Sequence, residues 1–158
     1  MLTWYSQSEE ETYKLGKWIG DNLKSGEIIL LYGDLGSGKT VMSRGIAHGA
    51  GVNDIVTSPT FTLMNTYEGK YHVYHFDIYR INQPEELYDL DYEDYFFGSG
   101  IAIVEWPERL DYLLPSEYLK ITINRTEDDK GRIITAEAVG SRYMALEEVL
   151  KNYEDTGC

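Results

Sequence analysis

The segment E-I-I-L-L-Y-G-D-L-G-S-G-K-T-V-M-S-R-G-I-A-H-G-A-G, residues 27–51, decides the fold. Its opening, Glu27 to Tyr32, is a nearly unbroken apolar run, the pattern of a strand covered on both faces in a parallel sheet. From Thr40 onward the residues suit a helix, and Gly49-Ala50-Gly51 supplies the glycines that end one. Between them, Gly33-Asp34-Leu35-Gly36-Ser37-Gly38-Lys39-Thr40 satisfies G-x-x-x-x-G-K-[ST], with the strand before it and the helix after it that a phosphate-binding loop requires. Glycine permits positive φ and leaves no side chain in the way. The N–H groups of Leu35 to Thr40 can therefore converge on phosphate oxygens, and the following helix adds the positive end of its dipole. In this chemistry Lys39 reaches the β and γ phosphates of a nucleotide and the Thr40 hydroxyl ligates Mg²⁺.

Upstream, Ser8 followed by Glu11 reads as a capping box. Leu15, Trp18, Ile19 and Leu23 then recur at helical spacing until Ser25-Gly26. Downstream, Phe61 to Tyr67 and Tyr71 to Tyr79 are rich in aromatic and β-branched residues around Glu68-Gly69-Lys70 and predict an antiparallel hairpin. Pro84 begins a short helical stretch, Ile101 to Trp106 is a second buried strand, and Pro107 opens a helix. Tyr118 to Arg125 and Arg132 to Val139 form another hairpin around Asp128-Asp129-Lys130-Gly131. A last helix over Ser141 to Tyr153 places Tyr143, Leu146, Val149 and Leu150 on one face. The chain thus reads as one α/β domain over residues 1–158 with a mixed sheet, residues 151–158 being a candidate disordered tail.

A length of 158 residues with 42% hydrophobic content suffices for one core. No signal-peptide pattern opens the chain, and no apolar run approaches the roughly 20 residues that span a bilayer. These features predict a soluble, cytoplasmic protein without a membrane partner. The single cysteine, Cys158, has no disulfide mate and no metal-ligand spacing. A formal net charge of -13 lacks the basic footprint of a nucleic-acid binder, so any link to RNA runs through a partner or a local patch. The acidic excess gathers in Glu85, Glu86, Asp89, Asp91, Glu93 and Asp94, interleaved with Tyr88, Tyr92, Tyr95, Phe96 and Phe97. That segment reads as a solvated acidic loop or as an anchor for a protein partner.

A magnesium-bound nucleotide needs an acidic residue at the end of a neighbouring strand. Asp77 in H-F-D and Glu105 in V-E-W both qualify, and spacing alone does not choose between them. A Glu before a bulky Trp in a buried strand calls for a metal or cation partner, because an unpaired buried carboxylate costs on the order of several kcal/mol. No N-K-x-D or T-K-x-D string is present to read guanine, which favours adenine. Ser58-Pro59-Thr60 is either a loop that senses the γ-phosphate or a plain connection before a strand.

Taken in series, G-D-L-G-S-G-K-T, S-P-T-F-T-L, Y-H-F-D-I-Y-R and I-V-E-W-P-E resemble the TsaE (YjeE) family in order and spacing, from about Ser6 to Val139. The resemblance implies a P-loop NTPase fold with a mainly parallel central sheet, antiparallel additions and flanking helices. It also implies an ATPase that works with the TsaD and TsaB proteins in threonylcarbamoyladenosine modification of tRNA at position 37, touching tRNA only through that complex. By the same resemblance, ATP is held by Gly33 to Thr40 and Val41, with Glu9 and Arg132 bordering the nucleoside. Lys39, Thr60 and Asp77 are then catalytic, and Thr40 and Glu105 are the magnesium ligands, which tips the choice of metal carboxylate toward Glu105. Asp77 would order the metal shell or the attacking water. Trp106 packs near the nucleotide, at a partner surface or in the core, and Arg80 reads as a structural ion pair, a phosphate contact or a partner contact. Two departures stand out: Ser37 replaces a frequent Ala, and Phe61 replaces a frequent Tyr, losing a hydroxyl. The alternatives to a partnered ATPase are a small-molecule kinase, for which the scattered arginines offer no clustered lid, and a non-catalytic nucleotide-sensing module.

Overall fold

The computed structural model describes residues 1–59 and 61–153. In chain order these comprise β1 (Leu2–Ser6), α1 (Glu9–Asp21), β2 (Ile28–Tyr32), α2 (Lys39–Gly49), β3 (Met64–Glu68), β4 (His72–Asp77), α3 (Tyr92–Phe96), β5 (Ile101–Glu105), β6 (Tyr118–Arg125), β7 (Arg132–Val139) and α4 (Met144–Leu150). Short 3₁₀ helices cover Pro84–Leu90, Pro107–Leu113 and Ser141–Tyr143. The seven strands form one sheet in the order β1-β7-β6-β2-β5-β4-β3. The inner four, β6, β2, β5 and β4, are parallel, and β7, β1 and β3 are added through antiparallel pairings, β7 on β6, β1 on β7 and β3 on β4. This is the α/β architecture the sequence implies.

β2 shows why its sequence is a continuous apolar run. Ile29 and Leu31 face a core shared with α1 and α2, while Ile28 and Leu30 face a second core built on Phe76, Val104 and Phe96. With both faces covered, the four buried positions Ile28 to Leu31 are all apolar, and only the partly buried Tyr32 at the end carries a polar group. α1 and α2 pack unusually close. A Cβ on Gly20 would collide with the Ile46 carbonyl, and one on Gly49 with the Lys17 carbonyl. α1 starts as read: the Ser8 hydroxyl accepts from Glu11 N at 3.1 Å. The Glu11 carboxylate, however, returns to Gln7 N at 2.7 Å, one residue earlier than in the reciprocal box.

Several expectations need correction. β1 was not anticipated; Leu2-Thr-Trp-Tyr-Ser6 is a short edge strand whose only partner, β7, lies some 130 residues away in sequence. The β3–β4 hairpin is shorter than its β-prone composition suggests, leaving Phe61 outside it and 84% exposed. The helical segments expected at Pro84 and Pro107 do open there, as 3₁₀ helices. In the C-terminal segment Tyr143, Leu146 and Leu150 are buried, but Val149 is exposed; the segment is 3₁₀ over Ser141–Tyr143 and α-helical only from Met144. Tyr153, within the candidate tail, packs its ring against Trp4 and Trp18; Cys158 lies outside the described residues. Among the described residues no helix is long and apolar enough to cross a membrane.

Candidate nucleotide site

Parallel strands deliver their carboxyl ends to one edge of the sheet, and in open α/β sheets that edge, where the strand order reverses, is where ligands bind. Here β2 runs into the glycine loop with β5 on one side and β6 on the other. Gly33, Gly36 and Gly38 all have φ in the positive range, 150°, 76° and 112°. Ser37 N closes a turn onto Asp34 O at 3.1 Å, and Gly38 starts α2 with no side-chain cap on its amides. The first-turn N–H groups of a helix have no internal acceptor, so they are available to an anion.

Lys39 folds back over this loop. Its Nζ donates to the Gly33 carbonyl at 2.5 Å and lies 3.1 Å from the centroid of the Trp106 ring. Burial pushes the Lys39 ammonium below the ordinary lysine range, against the opposing pull of Glu105, Glu108, Asp77 and Asp34. Trp106 reaches this place through a left-handed backbone (φ 63°, ψ 47°), rare for a bulky residue, that turns the chain sharply after Glu105. It also packs against Tyr79, with centroids 4.7 Å apart and the rings tilted at 47°.

Asp77 and Glu105 end β4 and β5 and are direct partners in the parallel register. Glu105, only 2% exposed, accepts from the Thr40 hydroxyl through Oε1 at 3.2 Å. Its Oε2 meets the Ser43 hydroxyl at 3.1 Å and His75 Nε2 at 2.5 Å. Asp77 is tied elsewhere: Ser58 Oγ donates to its Oδ2 at 3.2 Å and Tyr79 N to its Oδ1 at 3.1 Å. The structure thus joins Glu105 directly to Thr40, and joins Asp77 to the S-P-T segment. Thr60 itself lies outside the described residues.

Beside the loop runs a groove. One part, about 220 Å³, lies between Gly36-Ser37-Gly38 and Val41 on one wall and Ser8, Glu9 and Arg132 on the other. It continues along Tyr5, Gln7 and the β6–β7 turn as a wider cleft of about 700 Å³. Glu9 and Arg132, far apart in sequence, therefore line the same groove beside the loop. Arg132 Nε donates to Ser37 O at 2.8 Å, and Arg125 Nη2 to Leu35 O at 3.0 Å, so the β6–β7 hairpin fastens the glycine loop at two carbonyls. Arg80 is not brought in as an ion pair. Among the described residues it has none, and its guanidinium lies over the exposed Phe61 ring at 4.6 Å. The Ser37 hydroxyl is buried without a hydrogen-bond partner among the described residues.

The model of the family described as threonylcarbamoyl adenosine biosynthesis protein TsaE matches residues 6–134. This chain belongs to the TsaE family. The tRNA threonylcarbamoyladenosine biosynthesis protein TsaE of Bacillus subtilis is 41% identical over 155 residues, covering 98% of this chain and 96% of that protein. The protein of the same name from Treponema pallidum is 34% identical over 131 residues, covering 83% and 97%. The crystal structure of Bacillus subtilis YdiB superposes with a TM-score of 0.85 at 38% identity, covering 98% of this chain and 96% of that one.

In this TsaE-family chain the donors at the foot of the loop are hard oxygens: the Thr40 hydroxyl, the Glu105 carboxylate and, on the adjacent strand, the Asp77 carboxylate. That set fits Mg²⁺, which takes one or two protein oxygens and fills its octahedron with phosphates and water. Among the described residues no cluster of three or more His, Cys, Asp or Glu side chains could hold a metal unaided. Sequence reasoning does not single out His75, Ser43 or Arg125. Periodicity carries a signal for the first two: His75 precedes Asp77 by two residues on one strand face, and Ser43 follows Thr40 by three on one helix face. Arg125 has no such local signal.

Proposed function

We propose that this chain is a Mg²⁺-dependent P-loop ATPase that serves threonylcarbamoyladenosine modification of tRNA by docking to TsaB and TsaD. The observation that carries the reading is the join between Thr40 and Glu105 at the foot of a glycine loop, with a nucleoside-sized groove opening beside it. Phosphates would be taken up by the loop amides and by Lys39, whose burial is offset once a polyphosphate supplies negative charge. Thr40 and Glu105 would hold Mg²⁺, which when bound neutralises charge on the β and γ phosphates. Glu9 and Arg132 border the nucleoside. Asp77, held by Ser58 and by the Tyr79 amide, would orient the attacking water, and Thr60, two residues after Ser58 in the S-P-T segment, would serve beside it in catalysis. The net charge of -13 and the exposed Phe61 suit a protein-facing role better than direct contact with tRNA. The family description and the names of the relatives support the pathway.

The test is phosphate release from MgATP by the purified chain, alone and with TsaB, TsaD and tRNA, using Lys39→Ala as the blank. Stimulation by the partners is the expected result. Phosphate transfer appearing only when a small metabolite is added would replace this reading with a kinase, and binding without turnover under every condition would replace it with a nucleotide sensor.

A further inference from the structure

His75 is a buried polar side chain for which phosphate binding has no direct use. It is 0% exposed, sits in β4 beneath α2, and spends one ring nitrogen on Glu105 while Nδ1 has no partner among the described residues. A neutral imidazole in this position has two tautomers. With the proton on Nε2 it donates to the carboxylate and leaves a bare lone pair on Nδ1; with the proton on Nδ1 it buries an unpaired N–H. Unpaired buried donors are the rarer and costlier case, so Nε2–H is the donor.

The two oxygens of Glu105 are consequently unlike. Oε2 receives the His75 N–H at 2.5 Å and the Ser43 O–H at 3.1 Å, whereas among the described residues Oε1 receives only the Thr40 hydroxyl, at 3.2 Å. The terminal torsion of a glutamate is broad, so a carboxylate with no such donors lets its plane swing and holds no oxygen lone pair in one direction. Two donors converging on Oε2, one from β4 and one from α2, remove that freedom. We propose that His75, assisted by Ser43, is a positioning residue that locks the Glu105 carboxylate with Oε1 toward Thr40, predefining the single oxygen offered to the metal. The proposal rests on the nucleotide reading above and adds to it the residue that sets how strongly Mg²⁺ is held.

Calorimetric titration of the full chain with a non-hydrolysable ATP analogue, in EDTA and at stepped Mg²⁺ concentrations, tests this. In the wild type Mg²⁺ strengthens binding. In His75→Leu, affinity in EDTA stays within about twofold, while the Mg²⁺ concentration for half-maximal strengthening rises about 10- to 100-fold, the usual cost of losing a group that orients a metal ligand. His75→Gln, whose amide N–H can reach the place of Nε2, restores the wild-type Mg²⁺ dependence. Ser43→Ala shifts it in the same direction, and carries the test if near-ultraviolet circular dichroism shows that His75→Leu does not fold. An unchanged Mg²⁺ dependence in whichever of the two folds overturns the proposal, as does failure of His75→Gln to restore it, which would make His75 a packing residue. A wild type that binds the analogue without any effect of Mg²⁺ overturns the proposal and the metal assignment together. A wild type that binds no analogue at all overturns the nucleotide reading itself.

Discussion

Lys39 is a charge that its own surroundings partly reject. Burial lowers its proton affinity even though four carboxylates act in its favour, so in the nucleotide-free chain the ammonium is a net cost to folding. Because the folded-state value lies below the unfolded one, that cost is fully present below the folded value and is relieved as pH rises toward the ordinary 10.5. Lys39→Met is therefore expected to unfold at the same or higher denaturant concentration than the wild type at pH 7. It should also weaken nucleotide binding about a hundredfold, the worth of a charge-assisted contact of about 2–3 kcal/mol. Urea unfolding and calorimetry check the two halves; a clearly lower midpoint contradicts the first.

Glu27, at the foot of β2, is a second case, with the opposite charge. It is 6% exposed and accepts from Lys24 N, but desolvation outweighs that hydrogen bond and raises its proton affinity above the usual carboxylate range. The folded state then binds the proton more tightly than the unfolded one. Stability lost to the carboxylate is fully lost above the folded value and regained as pH falls toward 4.5. Glu27→Gln, whose amide oxygen can still accept from Lys24 N, should be more stable than the wild type at pH 7, and the difference should vanish near pH 4.5. Melting curves across that range decide it.

At the scale of elements, the glycine loop depends on structures distant in sequence. α1 braces α2 through backbone contact at Gly20 and Gly49. Ala is the better helix former by about 1 kcal/mol, yet at position 20 its methyl would meet the Ile46 carbonyl and push the helices apart. Overpacking of this kind costs about 1–3 kcal/mol, and a clash with backbone falls at the upper end. Gly20→Ala should therefore lower the unfolding free energy by a net of about 2 kcal/mol, read as a lower urea midpoint at an unchanged slope. The β6–β7 hairpin braces the loop from the other side through Arg125 and Arg132. Helix, strand and hairpin types were legible from periodicity and turn residues, since β6 and β7 fall where alternation and the Asp-Asp-Lys-Gly turn place them. The 3₁₀ character of Pro84–Leu90 was not, because proline at a first helical position suits either helix type. Strand β1 escaped because five residues of edge strand gain stability only from a partner, and β7 is at the other end of the chain.

For the whole molecule, a ligand that binds only the folded chain raises stability by mass action. An ATP analogue with Mg²⁺ at 100 times its Kd should add about 2.7 kcal/mol. For a chain of this size that corresponds to about 5–10 °C in the melting temperature. Differential scanning calorimetry with and without the analogue reads it, and no shift at saturating concentration would count against the site. The groove that would receive the nucleoside is assembled from β1, α1, the glycine loop and the β6–β7 turn, so binding there ties the two ends of the chain together.

What the sequence by itself determined is local: a buried strand, a glycine loop with Lys39 and Thr40 at invariant spacing, the helix behind it, and two acidic strand ends. Each follows from short-range rules of φ, hydrogen bonding and periodicity that act within about ten residues. The sequence chooses between the acidic ends only by family resemblance; register sets Asp77 beside Glu105, and the Thr40 hydroxyl donates to Glu105, a contact that spacing along the chain does not reveal. The burial of His75, the placing of Glu9 and Arg132 along one groove and the stacking of Trp106 on Lys39 were likewise decided by tertiary structure. They depend on how strands distant in the chain are ordered and how the helices settle on them, and that is set by the packing of the entire core rather than by any one segment.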